Sequence, residues 1–336
     1  MIRFAVIGAG AWGLNYVRML ASEPGSELAL VVDPDPDATQ RARTIAPDIA
    51  VTADAEHALS DPTIDAIVIA SPALTHAALA IEALRCGKHV LIEKPLALNL
   101  VDALAVGRAA HASDRTSMVG HLMVYHPAVV RLRELLRSGG LGKLHYVHST
   151  RVNLGRLRQD ENALWSFGPH DLSMIDLLLE GMPDTVSASG LCVLQPGVED
   201  VVFLTLRYPS GELAHVHLSW LSPRKERRLT LVCSKKMVEF DDVSTEKLRI
   251  YDKGYDRPPS FTEYGQYLTI RDGDVHIPQI SMQEPLRLQI RHFLACIAER
   301  RVPETNVMTG VRVTSILDAA QRSLAEGGAV VAITRV

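Results

Sequence analysis

Ile2-Arg3-Phe4-Ala5-Val6-Ile7-Gly8-Ala9-Gly10-Ala11-Trp12-Gly13 decides how this chain folds. A β-branched apolar run passes into G-x-G-x-x-G, and residues 14–21 continue with helical spacing. In that strand-turn-helix context each glycine has its own task. Gly8 permits the tight turn, Gly10 lets the backbone approach a pyrophosphate, and Gly13 lets helix and strand pack closely. Ala11 sits in the same loop, and Trp12 either screens the pyrophosphate or packs. Twenty residues past Gly13, Asp33 ends the next apolar run, where a carboxylate accepts hydrogen bonds from adenosine ribose hydroxyls. That carboxylate repels a 2′-phosphate, and the residues after it, Pro34-Asp35-Pro36-Asp37, offer no arginine. NAD is therefore expected in preference to NADP.

Working outward, apolar runs recur at 28–32, 66–70, 89–92 and 117–120, with amphipathic stretches between them. They are nearly continuous rather than alternating, as strands covered on both faces of a parallel sheet require. Residues 1–121 thus read as a doubly wound Rossmann domain in an α/β protein. The pattern changes after His121. A helix is expected over 127–137, and longer alternating strands follow from Leu144. Residues 201–208 and 212–221 flank Pro209-Ser210-Gly211 as a hairpin, with Ala214, Val216, Leu218 and Trp220 on one face and His215, His217 and Ser219 on the other. Residues 122–336 therefore read as an α+β substrate and oligomerisation domain built on a large, mainly antiparallel open sheet. Arg224-Lys225-Glu226-Arg227-Arg228 reads as a solvated strand end and 251–283 as an insertion or long connection. Helices over 285–300 and 308–325 close the chain, the last able to pack back on the first domain.

Composition narrows the function. With 336 residues, 47% hydrophobic and 22% charged, the chain is neither disordered nor fibrous. Thirty-five basic against 39 acidic residues, a net charge of −4, weighs against a nucleic-acid partner. Cys86, Cys192, Cys233 and Cys296 form no C-x-x-C pair and suit free thiols in a reducing compartment. His145-x-x-His148 and His215-x-His217 lack a third ligand at convincing spacing, so no metal is expected. No charge-free stretch reaches the ~18 residues that suggest a bilayer span. The apolar residues 4–17 end at Arg18 without a small-residue cleavage site and read as part of the fold. No membrane partner and a cytoplasmic location are expected.

Two further segments end parallel strands, where open α/β sheets bind ligands: Ser71-Pro72, with His76 shortly after, and Glu93-Lys94-Pro95. A G-x-G-x-x-G domain, an E-K-P tripeptide and a second, antiparallel-sheet domain resemble the Gfo/Idh/MocA oxidoreductase family over nearly the whole chain. The resemblance implies that Lys94 lies beside the nicotinamide and the substrate hydroxyl, and that His170 of the second domain serves as acid or base. It implies NAD across Gly8 to Gly13, Asp33, Ser71, His76, Glu93 and Lys94. Oxidising a secondary alcohol needs a titratable group within hydrogen-bond reach of the hydroxyl, so the residue types suit the chemistry. His170 is read as opening a helix after Phe167-Gly168-Pro169, where the helix dipole disfavours imidazolium. The family's aspartates four residues before and three after this histidine are replaced by Ser166 and Ser173. Ser166 is read as the helix cap, and Asp171 or Asp176 as a possible support.

On the substrate side, Arg151, Asn153, Arg156, Arg158, Asn162 and Trp165 lead into His170, and Asp171 follows it as a further candidate. They could hold a phosphate, sugar hydroxyls and an apolar sugar face, or form a basic loop paired with Asp160 and Glu161. The segment resembles the family branch that handles nucleotide-activated or amino sugars. His121, Tyr125 and His126 follow the sixth strand near the same mouth, where the resemblance implies a substrate-contacting side chain, Tyr125 being the candidate, and where ordinary packing is the alternative. The resemblance thus implies an NAD-dependent dehydrogenase acting on CH–OH groups of a sugar derivative. An inositol, dihydrodiol or other cyclic polyol is the alternative substrate, and an NAD-bound sensor without turnover is the alternative class. Pairing through the open sheet face implies a homodimer or homotetramer.

Overall fold

The computed structural model describes residues 1–155, 161–256 and 269–336. In chain order the elements are β1 (Ile2–Ile7), α1 (Gly13–Leu20), β2 (Ser26–Val32), α2 (Pro36–Ile45), β3 (Ala50–Thr52), α3 (Glu56–Ser60), β4 (Ala66–Ile69), α4 (His76–Arg85), β5 (His89–Ile92), α5 (Leu100–Ala112) and β6 (Ser117–Val119). Then come α6 (Pro127–Arg137), β7 (Leu144–Val152), α7 (Ala163–Leu179), β8 (Thr185–Leu191), β9 (Val201–Arg207), β10 (Leu213–Ser219), β11 (Glu226–Cys233) and β12 (Met237–Asp241). The chain finishes with β13 (Leu248–Asp256), β14 (Thr269–His276), α8 (Pro285–Glu299), α9 (Val307–Ala325) and β15 (Val331–Ala332). Two compact units result: Met1–Tyr125 with Gln283–Asp318 and Val336, and His126–Met282 with Ala319–Arg335. The division falls four residues beyond residue 121 and puts residues 283–318 with the first unit.

The first unit is built on a parallel sheet of order β3-β2-β1-β4-β5-β6. Phe4, Ala5, Val6, Ile67, Ile69, Val90 and Ile92 are fully buried, as the unbroken apolar runs require, and each large one contributes about 1.5–3 kcal/mol by leaving water. Strand order reverses between β1 and β4, so the loops after Ile7 and Ile69 flank the crevice where such sheets bind ligands. Strand β3 escapes sequence reading because three residues cannot establish a period. Helix α8 joins this unit through Phe293, whose ring lies 6.3 Å from that of Phe4. Buried Glu23 also receives Arg287 at 2.7 Å and Arg291 at 2.5 Å.

The second unit carries a sheet of order β14-β13-β12-β11-β7-β10-β9-β8-β15, antiparallel except for the β7–β10 pair. One face is apolar and buried: Val147, Ala188, Leu204, Ala214, Val216, Leu218, Leu229 and Val238. On β10 the expected alternation holds. The opposite face carries His148, Phe203, His215 and His217, with the Phe203 and His217 rings stacked at 4.4 Å. Residues 251–283, expected as a connection, are partly strand, since β13 and β14 pair at the sheet edge. β14 is exposed along nearly its whole length, so no buried face imposes alternation on its sequence. The basic run ends in strand β11, where Arg227 meets Asp242 at 3.1 Å. Among the described residues no helix is long and apolar enough to cross a membrane, and no cluster of three or more His, Cys, Asp or Glu could hold a metal.

Candidate active site

The glycine loop is shaped by steric exclusion. Gly8 has φ +97°, and a Cβ there would stand 2.5 Å from the Ser71 amide nitrogen; one on Gly13 would stand 1.9 Å from the Gly8 carbonyl oxygen. A Cβ on Gly10 would meet nothing within 4 Å. Close packing therefore demands the first and third glycines, and open space lies over the second, at the start of α1. The Ala9 amide donates to Asp33 Oδ2 at 2.6 Å and the Asp35 amide to Asp33 Oδ1 at 2.9 Å, fixing the carboxylate at the end of β2. Exposed Gly10 and Ala11, with Asp33 across the crevice, fit a dinucleotide's pyrophosphate and ribose.

Glu93 is a hub. Its Oε1 accepts from the Trp12 indole at 2.6 Å and the Tyr16 hydroxyl at 2.5 Å, and its Oε2 accepts from the Lys94 amide at 2.9 Å. Burial first, then the Glu93 charge, raises the Tyr16 pKa well above its ordinary value, so the phenol stays a donor. Gly120 is needed beside the hub, since a Cβ there would stand 2.8 Å from Glu93 Oε1. His76, also buried, has its ring nitrogens 2.8 Å from the Pro95 carbonyl oxygen and 2.9 Å from that of Ser71. Two expected cofactor contacts thus have their polar atoms engaged within the protein, where they tie the loops after β1, β4 and β5 together. The Ser71 hydroxyl shares a hydrogen bond with Thr75 at 2.7 Å. Half-buried Lys94 follows the hub, joined to Pro95 by a cis peptide bond.

Beside Lys94 lies His121, only 1% exposed, with neither ring nitrogen hydrogen-bonded among the described residues. Burial, then the positive charges of Lys94 and Arg312, pushes its pKa down to about 3, so the ring is neutral at physiological pH. Tyr125, the expected substrate contact, instead shares a hydrogen bond with Thr305 at 3.0 Å inside the protein. His126 accepts the Ala128 amide and caps α6. The sequence points to His121, with Tyr125 and His126, by its place just past a parallel strand, but not to its burial.

In the second unit α7 begins earlier than expected. Asn162 Oδ1 accepts the Trp165 amide at 3.1 Å and is the cap, leaving Ser166 inside the helix, Pro169 in its interior and His170 at its eighth residue. The dipole at the start of α7 therefore does not act on His170 as expected, because its effect fades beyond the first turn. Asn162 Nδ2 also donates to Glu199 at 2.6 Å and Gln321 at 2.9 Å, and the Trp165 indole donates to Gln321 at 3.1 Å. Neither side chain is free for a sugar. Arg151 and Asp171, 5% and 1% exposed, form a buried pair with Nε to Oδ2 at 2.5 Å, and Ser149 donates to Asp171 Oδ1 at 2.7 Å. Arg151 is thus neutralised by Asp171 rather than available for a phosphate. Ser173 donates to the His170 carbonyl at 3.0 Å. Asn153 is half-buried at the end of β7, its amide donating to Ser219, and Arg156 and Arg158 lie outside the described residues.

Known families match both units. A profile described as an oxidoreductase family with an NAD-binding Rossmann fold covers residues 2–121, and the GFO/IDH/MocA C-terminal domain covers 129–239. The chain belongs to the Gfo/Idh/MocA oxidoreductase family. A crystal structure of a candidate oxidoreductase from Magnetospirillum magnetotacticum MS-1 is 32% identical, with a TM-score of 0.81, covering 95% of this chain and 99% of that one. Inositol 2-dehydrogenase 2 of Paenarthrobacter aurescens is 31% identical over 65% of this chain and 68% of its own length. The 2,7-anhydro-N-acetylneuraminate hydratase of Escherichia coli K12 is 28% identical, and this chain spans 60% of its length. In Gfo/Idh/MocA terms, the G-x-G-x-x-G and E-K-P segments are joined here by one buried carboxylate.

Proposed function

We propose that this Gfo/Idh/MocA member transfers a hydride between NAD and a ring carbinol or ketone of a cyclic polyol or sugar derivative. The observation that carries the reading is Lys94, half-buried at the carboxyl end of β5 next to the unpartnered His121 ring, in the unit whose glycine loop and Asp33 fit a dinucleotide. Bound NAD supplies the hydride acceptor. Asp33 holds the adenosine ribose and disfavours a 2′-phosphate. Lys94 Nζ donates to the carbinol oxygen and stabilises the negative charge that grows there as hydride leaves. His170 takes the hydroxyl proton in the oxidative direction and returns it in the reductive one. His121, buried and held neutral beside Lys94, adds no positive charge next to that ammonium.

An inositol dehydrogenase among the relatives supports a polyol ring, and a hydratase of an anhydro sugar acid supports a carbohydrate ring. The Arg151–Asp171 pair removes one expected phosphate contact and so favours a substrate without a diphosphate. The chain is further proposed to work in the cytoplasm, with its four cysteines as free thiols, and to pair through the sheet face that carries Phe203 and His217, as a homodimer or homotetramer. Nicotinamide absorbance with NAD or NADP, against inositols, free sugars and UDP-hexoses, tests the proposal. We expect reduction of NAD by an inositol or a free sugar. Tight NAD binding with no hydride transfer from any of them would instead make the protein a sensor.

A further inference from the structure

The first unit has a second concavity, at the end of its sheet opposite the glycine loop. His89 opens β5 and Ser117 opens β6, and both line it, whereas Gly8, Ser71 and Lys94 follow the other ends of their strands. Its volume, about 1020 Å³, stands at the top of the range for small-molecule pockets, about 300–1,000 Å³. The last turns of α5 and α8, the first turn of α9 and the segment before β6 supply the walls. Arg108, Arg115, Arg300 and Arg301 converge there with His89 and His111, and the wall's one acid is Asp114.

Arg301 is paired with Glu299 at 2.6 Å. Among the described residues Arg108, Arg115 and Arg300 have no carboxylate within ion-pair distance. Three uncompensated guanidinium groups around one cavity reverse the sign of a chain whose net charge is −4, and their mutual repulsion falls when an anion enters. The Thr116 amide donates to His89 Nδ1 at 2.9 Å, so the neutral ring keeps Nε2–H as a further donor. Leu104, Ile297, Val307 and half-exposed Met308 give the cavity an apolar side.

We propose that this cavity binds a small phosphorylated metabolite, its phosphate groups on Arg108, Arg115 and Arg300 and its organic body on Leu104, Val307 and Met308. Guanidinium groups suit the task because each can meet a phosphate with two parallel hydrogen bonds. The site is separate from the nucleotide crevice and does not depend on the catalytic reading. Calorimetric titration of the full chain, saturated with NAD, with ATP and with inorganic pyrophosphate tests it. One ATP per chain is expected, bound more tightly than pyrophosphate. The exposed substitutions Arg115→Gln and Arg300→Gln each weaken binding by about tenfold or more, the loss of a charge-assisted bidentate contact. Arg224→Gln, a charge control in the second unit, leaves it unchanged. No ATP binding, or equal weakening by all three substitutions, overturns the proposal.

Discussion

Glu93 and His121 are two buried titratable groups of the first unit with opposite fates, one saturated with partners and one with no hydrogen bond to its ring among the described residues. Glu93→Ala takes the acceptor from the Tyr16 hydroxyl, which keeps the bond it accepts from Gln289, frees the Trp12 indole, and is expected to cost about 2–3 kcal/mol in denaturant unfolding, with Glu93→Gln recovering part. The E-K-P spacing marked Glu93 as important but not its role, because its partners lie 81 and 77 residues away and no local pattern records a contact at that range. His121 gives a pH dependence. Its folded pKa of about 3 lies below the free value, about 6.5, so its contribution is complete above 6.5 and is lost as pH falls toward 3. Near pH 5 its unfolding takes up about one proton, a slope of about 1.4 kcal/mol per pH unit. Denaturation midpoints at pH 7 and pH 5 should therefore converge in His121→Asn relative to the parent. An unchanged gap contradicts the buried neutral ring.

At the scale of elements, α7 and β7 are held together by charge as well as packing. The Asp171 carboxylate accepts from Arg151 and Ser149 of β7. Asp171→Ala leaves a guanidinium buried without a counter-charge and is expected to destabilise by about 3–5 kcal/mol, whereas Arg151→Met with Asp171→Leu restores most of the loss. Thermal or denaturant unfolding of the two variants decides between a structural pair and a substrate-binding arginine. The sequence showed α7 but misplaced its start. Phe167-Gly168-Pro169 looks like a helix entrance because proline suits a first turn, yet Asn162 caps the helix seven residues earlier and the interior proline is tolerated among buried neighbours. The hairpin of β9 and β10 was legible because one face is buried and alternation is enforced. β14 was not, because a solvated edge leaves the side-chain pattern free, and β13, buried at Leu248 and Ile250, runs on into polar residues that hide its end.

At the scale of the whole molecule, five strands of the parallel sheet were readable, since strands covered on both faces admit only apolar residues, and the three-residue edge strand β3 was not. The return of the last helix to the first unit was readable in the sequence, but the place of α8 there was not. That place depends on the Glu23 pairs with Arg287 and Arg291, more than 260 residues apart in sequence. The glycine loop, Asp33 and Lys94 were placed by sequence at strand ends, and the structure puts them there. Arg151, Asn162 and Trp165 read as substrate contacts in the sequence because polar and aromatic side chains before a candidate histidine look alike whether they face a ligand or brace a helix. In the proposed reaction Lys94 stabilises the reacting oxygen while the glycine loop and Asp33 hold NAD. Its most direct test is the single-turnover rate of hydride transfer in Lys94→Ala under NAD saturation, with the Kd for NAD measured alongside. A fall of about 10²–10⁴ in rate with NAD affinity retained is predicted; a rate equal to the parent's contradicts it.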